Sequence, residues 1–149
     1  MFEKLKARIT SMNSSHPLAR QRAEFLALKP DVGLEKKAHY THDIVGAAAA
    51  YEAFELFQKH EAHESKLGQK ITHARSKEII VGLAEGRVVK LVEEKRLPFA
   101  SEKEKVKFIG LAQKDAVRDA KRAIRESGMY EPHELEPIDN DEKHAAKIF

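Results

Sequence analysis

The chain has 149 residues, a formal net charge of +3 and a sequence pI near 9.0. This length predicts one domain, and the absence of cysteine excludes disulfides, thiolate metal sites and a cysteine nucleophile. No run approaches the roughly 18 apolar residues that span a bilayer, and the first residues lack the apolar stretch of a secretory signal. We therefore expect a cytoplasmic protein, and the mild positive charge gives little reason to expect nucleic acid binding.

The first part of the chain predicts two short helices. Apolar residues at helical spacing predict an amphipathic helix over residues 2–12, namely Phe2, Leu5, Ile9 and Met12. A second helix would have Pro17 in its first turn and would stop at Pro30. We expect these helices to form an N-terminal extension, residues 1–30, ahead of a core of about 34–128.

Two alanine-rich segments of similar length lie at the centre of the chain. The first runs from His42 to about Glu64, and the second runs from near Thr72 to a point before Pro98. The connection between them is short and contains Gly68. Short connections join antiparallel neighbours, so the two segments predict a helical hairpin.

A third helix is predicted to begin at Ser101. Glu104 follows three residues later, which is the spacing of a capping box, and the helix should end at Gly128. Beyond it we expect an irregular acidic tail over residues 129–149. No strand pattern competes with these helices, so the sequence predicts an all-α, single-domain compact bundle, built on the hairpin with the third helix across it.

Glycines recur inside the predicted helices. Gly46 and Ala50 are four residues apart in the first segment, and Gly82 and Gly86 are four apart in the second. Residues at this spacing share a helix face. Because glycine within a helix costs roughly 1 kcal/mol relative to alanine, we expect these residues to form a packing seam at which two backbones approach closely. Gly110 lies in a similar sequence context, which predicts a similar packing need in the third helix.

The two central segments also carry matching motif residues. The first has His42, Gly46, Ala47, Ala48, Tyr51, Glu52 and Ala53, and the second has His73, Ala74, Lys77, Glu78, Gly82 and Ala84. With these residues the chain resembles the CipC-like (concanamycin-induced protein C) antibiotic-response family of filamentous fungi over about residues 38–110. The resemblance implies a fungal, intracellular, stress-inducible helical protein, and it implies no reaction.

Histidines are the first candidates for chemistry. His60, His63 and His73 should lie near one end of the hairpin, close to Glu64, and three imidazoles with a carboxylate suit zinc or another divalent metal. The favoured alternative is that they are exposed or capping residues at helix ends. Because His42 and His73 each begin a motif segment, we expect their hydrogen bonds to lock the helix starts.

Carboxylates are the second set of candidates. A buried glutamate with a raised pKa can act as a general acid or base. However, the chain has no P-loop, dinucleotide-binding or nucleophile-elbow motif. We therefore expect Glu52 to pair with Arg87 between helices, and we predict no catalytic residue.

Five basic residues form a stripe along the predicted third helix. They are Lys114, Arg118, Lys121, Arg122 and Arg125. Such a stripe could bind phosphate, an anionic lipid surface or nucleic acid, but acids interrupt it and no aromatic residue is available for base stacking. We favour a solvated face that the acidic tail folds over, with weak anionic surface binding as the alternative.

Three hypotheses of function follow. The first is a non-enzymatic cytosolic stress-response protein that acts through protein contacts, self-association above all. The alternative is a small-ligand or metal-binding helical module that uses the histidine-rich end of the hairpin. An enzyme of unknown class is the least favoured, because no signature supports it.

Overall fold

Residues 18–37, 40–68 and 70–145 of the computed structural model are described here. These residues form six α-helices and one 3₁₀ turn, without any strand. The helices are α1 (Ala19–Leu26), α2 (Leu34–Lys37), α3 (His42–Lys66), α4 (His73–Glu94), α5 (Glu102–Glu126) and α6 (Asn140–Ala145), and the 3₁₀ turn is Pro132–Glu134. The prediction of an all-α fold is confirmed. The helix predicted over residues 2–12 lies outside the described residues.

The three long helices α3, α4 and α5 pack against one another, and α3 packs most extensively against α5. The ion pair between Glu52 and Arg87, with 2.7 Å between Oε1 and Nη2, joins the first half of α3 to the second half of α4. These two helices are therefore antiparallel, and the predicted interhelical pair is confirmed. The hairpin alone is not the centre of the fold, because α5 buries at least as much of α3.

The core is built from small side chains around a few aromatic rings. Alanines of α3 and α5 are buried, and Phe54 and Phe57 fill the space between the helices with their rings 6.1 Å apart. Small residues let helices pack closely, whereas aromatic residues supply most of the buried apolar area. A thin, closely packed core of this kind is sensitive to any added volume.

Helix α1 is part of this core rather than an extension from it. Phe25 is fully buried, and its ring centroid lies 5.1 Å from that of Tyr40. The ammonium of Lys95, just after α4, donates to the carbonyls of Leu26 and Leu28 at 2.7 Å each. The Leu26 carbonyl is at the end of α1, where carbonyls have no partner within the helix, and Leu28 lies just beyond α1. Lys95 therefore fixes the end of α1 to the end of α4.

The predicted helix boundaries are largely confirmed by their caps. Thr72 accepts a hydrogen bond from the Arg75 N–H, and Ser101 accepts one from the Glu104 N–H, both at 3.2 Å. Gly68 and Gly128 follow α3 and α5 with φ of +75° and +81°. Glycine is favoured after a helix because it adopts this left-handed conformation without strain.

The predicted glycine seam is only half right. Gly46 and Ala50 face the core, but the partner of Gly46 is α5, not α4. Gly82 and Gly86 are exposed, and a Cβ built on either of them would meet nothing within 4 Å. The prediction is wrong for these two residues because the face of α4 that packs inward is the apolar one, with Ile80, Ala84, Val88 and Leu91. Gly110, for which a similar need was predicted, is also open.

The sequence predicts an acidic tail that is irregular apart from a final turn at residues 141–148, and the structure orders more of it than that. After α5 it forms the 3₁₀ turn, packs Leu135 against the core, and forms α6, which packs against α5. Asp139 begins α6 by accepting the Glu142 N–H at 3.0 Å. The tail is thus part of the same packed unit as the three long helices.

None of the helices in the described ranges is both long and apolar enough to cross a bilayer.

Candidate functional site

A cluster of one imidazole and two carboxylates lies at the start of α3. His42 Nδ1 is 2.6 Å from Asp115 Oδ2 and 3.0 Å from Asp43 Oδ1. Because a carboxylate accepts and does not donate, Nδ1 carries the hydrogen in this arrangement. The expectation that His42 locks a helix start by hydrogen bonding is confirmed.

Gly46 explains how Asp115 reaches His42. Gly46 lies one turn after His42 on the same face of α3, and α5 crosses directly over it. A Cβ at Gly46 would lie 2.6 Å from the Asp115 Cβ and 2.9 Å from the Ala112 carbonyl oxygen. The missing side chain therefore allows α5 to place a carboxylate over the first turn of α3.

The two aspartates of the cluster differ sharply in environment. The Asp115 side chain is only 4% exposed and also forms an ion pair with Arg118 of its own helix. The Asp43 side chain is 57% exposed, and the His42 side chain is 37% exposed. The cluster thus has a buried, fixed wall and an open side that faces solvent.

A second buried carboxylate lies one turn further along α5. Asp119 is 2% exposed, and its charge acts on Arg22 of α1. The Arg22 guanidinium also lies 4.6 Å from the centroid of the Tyr51 ring, which is a cation–π distance. Burial lowers the pKa of Arg22, and Tyr51 and Asp119 oppose that shift, so this group fixes α1 on the face shared by α3 and α5.

His73 is the most buried of the described histidines, at 2% exposure. Its Nδ1 accepts the N–H of Glu136 at 2.7 Å, and its ring lies 5.3 Å from that of Tyr130. The Tyr130 hydroxyl donates to the Ile71 carbonyl at 2.6 Å and also contacts the Ser76 hydroxyl. The start of α4 is therefore locked to the tail, as expected for His73.

The zinc site predicted at His60, His63 and His73 is not assembled. His60 and His63 are exposed, whereas His73 is buried with Nδ1 already bonded to the tail. The group of ligand atoms that does converge, within 4.8 Å of one another among the described residues, belongs to His42, Asp43 and Asp115. Spacing predicted which histidines share a helix face, but it did not predict which of them are buried.

The predicted basic stripe is largely neutralised by carboxylates. Arg118 pairs with Asp115 and Arg122 pairs with Glu126. Lys121 pairs with Asp139 and Asp141 of the tail at 3.1 and 2.8 Å, and Arg125 pairs with Glu142. Lys114 is exposed. The prediction that the tail folds over the stripe is confirmed at Lys121 and Arg125.

Glu142 is the centre of this tail contact. Its side chain is 0% exposed and pairs with both Arg125 and Lys77, with 2.8 Å between Oε1 and the Lys77 ammonium. Lys77 also reaches Asp139 at 2.8 Å. Burial alone would raise the pKa of Asp139, but hydrogen bonds from Lys77, the Glu142 N–H and Lys121 outweigh it and hold that pKa well below its usual range.

The outer face of α4 is open and regularly patterned. Six residues follow one another along it at alternating spacings of four and three: Arg75, Ile79, Gly82, Gly86, Val89 and Glu93. Ile79 and Val89 are half-buried, and the other four are exposed. Alternating spacings of four and three keep a stripe on one side of a helix, as the heptad pattern does in coiled coils. We call these six residues the α4 seam.

From the sequence, Asp115 and Asp119 stand out only as acids that interrupt the basic stripe, and their buried contacts with α3 and α1 were not predicted. A signal was nevertheless present, because Ala112, Ala116 and Ala120 form a small-residue face on α5 and the two aspartates flank it at the same spacing. Such a face predicts close packing against another helix. A carboxylate beside it would be buried, and a buried charge needs a hydrogen-bond or ion-pair partner.

The fold and this site define a small helical bundle in which a buried acid of α5, Asp115, holds the first residue of α3. The model of one protein family, described as Virulence factor CipC-like, matches residues 28–127. The chain belongs to that family, and the matched segment contains α3, α4, α5, the His42 cluster and the α4 seam, but not the tail. No curated protein and no solved structure matches the chain.

Proposed function

We propose that this protein is a non-enzymatic binding protein that acts through protein contacts, and that its partner is a second copy of the same chain. The proposed contact is the α4 seam. The stress-response role, the cytoplasmic location and the fungal source implied by the resemblance stay part of this proposal.

The observation that carries the proposal is the mirror order of the α4 seam. Read from either end, the seam runs charged, apolar, glycine, glycine, apolar, charged. When two copies of α4 cross in antiparallel fashion about a twofold axis, Gly82 faces Gly86, Ile79 faces Val89 and Arg75 faces Glu93. Each contact then occurs twice, as a twofold interface requires.

The chemistry of each pair favours contact in this register. A Cβ built on either exposed glycine would have no atom of the same chain within 4 Å. The backbones of two copies can therefore approach closely there. Ile79 and Val89 would bury apolar area on either side of the crossing. At each end of the contact, Arg75 of one copy would pair with Glu93 of the other. One helix seam is small by the standards of stable interfaces, so we expect a dimer of about micromolar affinity or weaker.

Sedimentation equilibrium over a range of protein concentrations tests the proposal. Wild-type protein should show a monomer–dimer equilibrium, and Gly86→Leu should shift it to monomer because the added side chain separates the helices. Gly110→Leu is the matched control, since Gly110 is equally open but lies on α5. Monomeric wild-type protein at all concentrations, or a Gly86→Leu dimer as strong as wild type, would show that the seam is not the interface.

A charge-reversal series tests the register itself. Arg75→Glu and Glu93→Arg should each weaken the dimer, because each one places like charges opposite one another at both ends. The double variant restores opposite charges only if these two positions face each other. A double variant as weak as the single variants would contradict the antiparallel register.

A further inference from the structure

The cluster at the start of α3 contains a mixed set of ligand atoms. His42 Nδ1 and one oxygen each from Asp43 and Asp115 all lie within 4.8 Å of one another. One nitrogen and two carboxylate oxygens suit borderline divalent ions such as Zn²⁺. Ligand atoms at ~2.1 Å from a tetrahedral zinc ion lie ~3.4 Å apart. The observed distances of 2.6 and 3.0 Å from Nδ1 to the two oxygens are those of hydrogen bonds, so the ligand atoms would separate by less than about 1 Å to admit an ion.

The charge of the cluster favours a cation. With a neutral imidazole, two carboxylates face a single guanidinium, that of Arg118, which leaves one negative charge uncompensated among these four side chains. The single hydrogen on Nδ1 cannot form a well-aligned hydrogen bond with both carboxylates at the same time. A divalent ion in place of that hydrogen would bind all three ligand atoms at once.

The surroundings hold the ligand atoms in place without closing the site. Asp115 is fixed by burial, by Arg118 and by the close approach at Gly46. The rings of His42 and Phe108 form a T-shaped pair, with centroids 6.4 Å apart. Partner groups that orient metal ligands in this way raise metal affinity, and the exposed side of His42 and Asp43 leaves coordination positions open to water.

We propose that His42, Asp43 and Asp115 form a binding site for one divalent transition-metal ion of the zinc type. The ion would join the start of α3 to the middle of α5, where the hydrogen bond between His42 and Asp115 joins them otherwise. This site is separate from the exposed His60 and His63, and separate from the α4 seam.

Calorimetric titration of the full chain with Zn²⁺ tests the proposal. Wild-type protein should bind one ion per chain, and His42→Ala and Asp43→Asn should each lose about tenfold or more in affinity. His60→Ala is the matched control and should bind as wild type does. No one-to-one isotherm, or one that His42→Ala leaves unchanged, would overturn the site and leave an ordinary hydrogen-bonded cluster.

Co²⁺ provides a second readout that separates ligation from folding. Its visible absorption should change on binding to wild-type protein, because a nitrogen and carboxylates replace water, and the change should be lost in Asp43→Asn. Because Asp43 is exposed, this variant keeps the fold, which a thermal melt without metal checks. Zn²⁺ should also raise the Tm of wild-type protein and not that of Asp43→Asn; equal shifts in both would contradict the assignment.

Discussion

Gly46 leaves no room for a side chain, unlike Gly82, Gly86 and Gly110 in the described helices. A Cβ there would lie 2.6 Å from the Asp115 Cβ, 2.9 Å from the Ala112 carbonyl oxygen and 3.1 Å from the Ala116 nitrogen. Two of these atoms are backbone and cannot rotate away. We expect Gly46→Ala to lower the free energy of unfolding by about 1–3 kcal/mol, as measured by urea denaturation.

The matched control for that substitution is Gly110→Ala. Gly110 lies within a helix and has open space around it, so alanine there should raise the free energy of unfolding by up to about 1 kcal/mol. Equal stability of Gly46→Ala and Gly110→Ala would contradict the close approach of α3 and α5.

His73 makes stability depend on pH. Burial lowers its pKa below the ordinary value, and the nearby charges of Arg125 and Lys77 lower it further. The unfolded chain, with a histidine pKa of about 6.5, therefore takes up the proton first. This contribution to stability is complete above about pH 6.5 and is lost as the pH falls from there toward the lower pKa of the folded state.

Urea unfolding at pH 7.5 and at pH 5.5 measures this effect. Wild-type protein should be less stable at the lower pH, and His73→Gln should lose less, because glutamine does not titrate and still offers an acceptor to Glu136. His60→Gln changes an exposed histidine and should respond to pH as wild type does. A pH response in His73→Gln as large as that of wild type would assign the effect to other groups.

At the scale of the helix, α4 shows what periodicity can and cannot predict. Two stripes on this helix have the same four-residue spacing, one with Ile80, Ala84 and Val88 and the other with Gly82 and Gly86. Only the first buries apolar side chains, so the hydrophobic effect directs it inward. A pair of glycines predicts that another helix packs closely, but it does not predict which helix. Gly46 packs against α5, although the hairpin predicts α4 as its partner.

The helix termini were predictable from sequence for a local reason. Thr72, Ser101 and Gly128 interact with backbone groups only a few residues away in the chain. A short stretch of sequence is therefore enough to predict these helix ends. The His42 cluster joins residues 73 positions apart in the chain, and no spacing rule connects them. The pairing of Glu52 with Arg87 was predicted because the short connection had already made α3 and α4 antiparallel neighbours.

At the scale of the whole molecule, the acidic tail covers part of a basic surface. Lys77, Lys121 and Arg125 lie inside the segment that matches the family, whereas the acids that pair with them follow it. Exposed ion pairs are worth only about 0.2–1 kcal/mol each, so such pairs alone would hold the tail weakly. The full burial of Glu142 and the packing of Leu135 indicate firmer docking than exposed pairs alone would give.

Removal of the tail should uncover this surface. Truncation after Tyr130 removes six acids and two lysines, which takes the formal net charge from +3 to +7. We expect the truncated chain to elute from a heparin column at higher salt than the full-length chain, because Lys121 and Arg125 lose their carboxylate partners. Circular dichroism at low temperature checks that the shortened chain remains helical.

The charge change and the uncovered stripe can be told apart by a second truncated chain. With Lys121→Gln and Arg125→Gln added, the truncated chain keeps a net charge of +5 but loses the two bases that the tail had covered. Its elution should return most of the way toward that of the full-length chain if the stripe is the binding surface. Elution that follows net charge alone would show a diffuse electrostatic effect, and equal elution of full-length and truncated chains at low salt would show that the tail masks nothing.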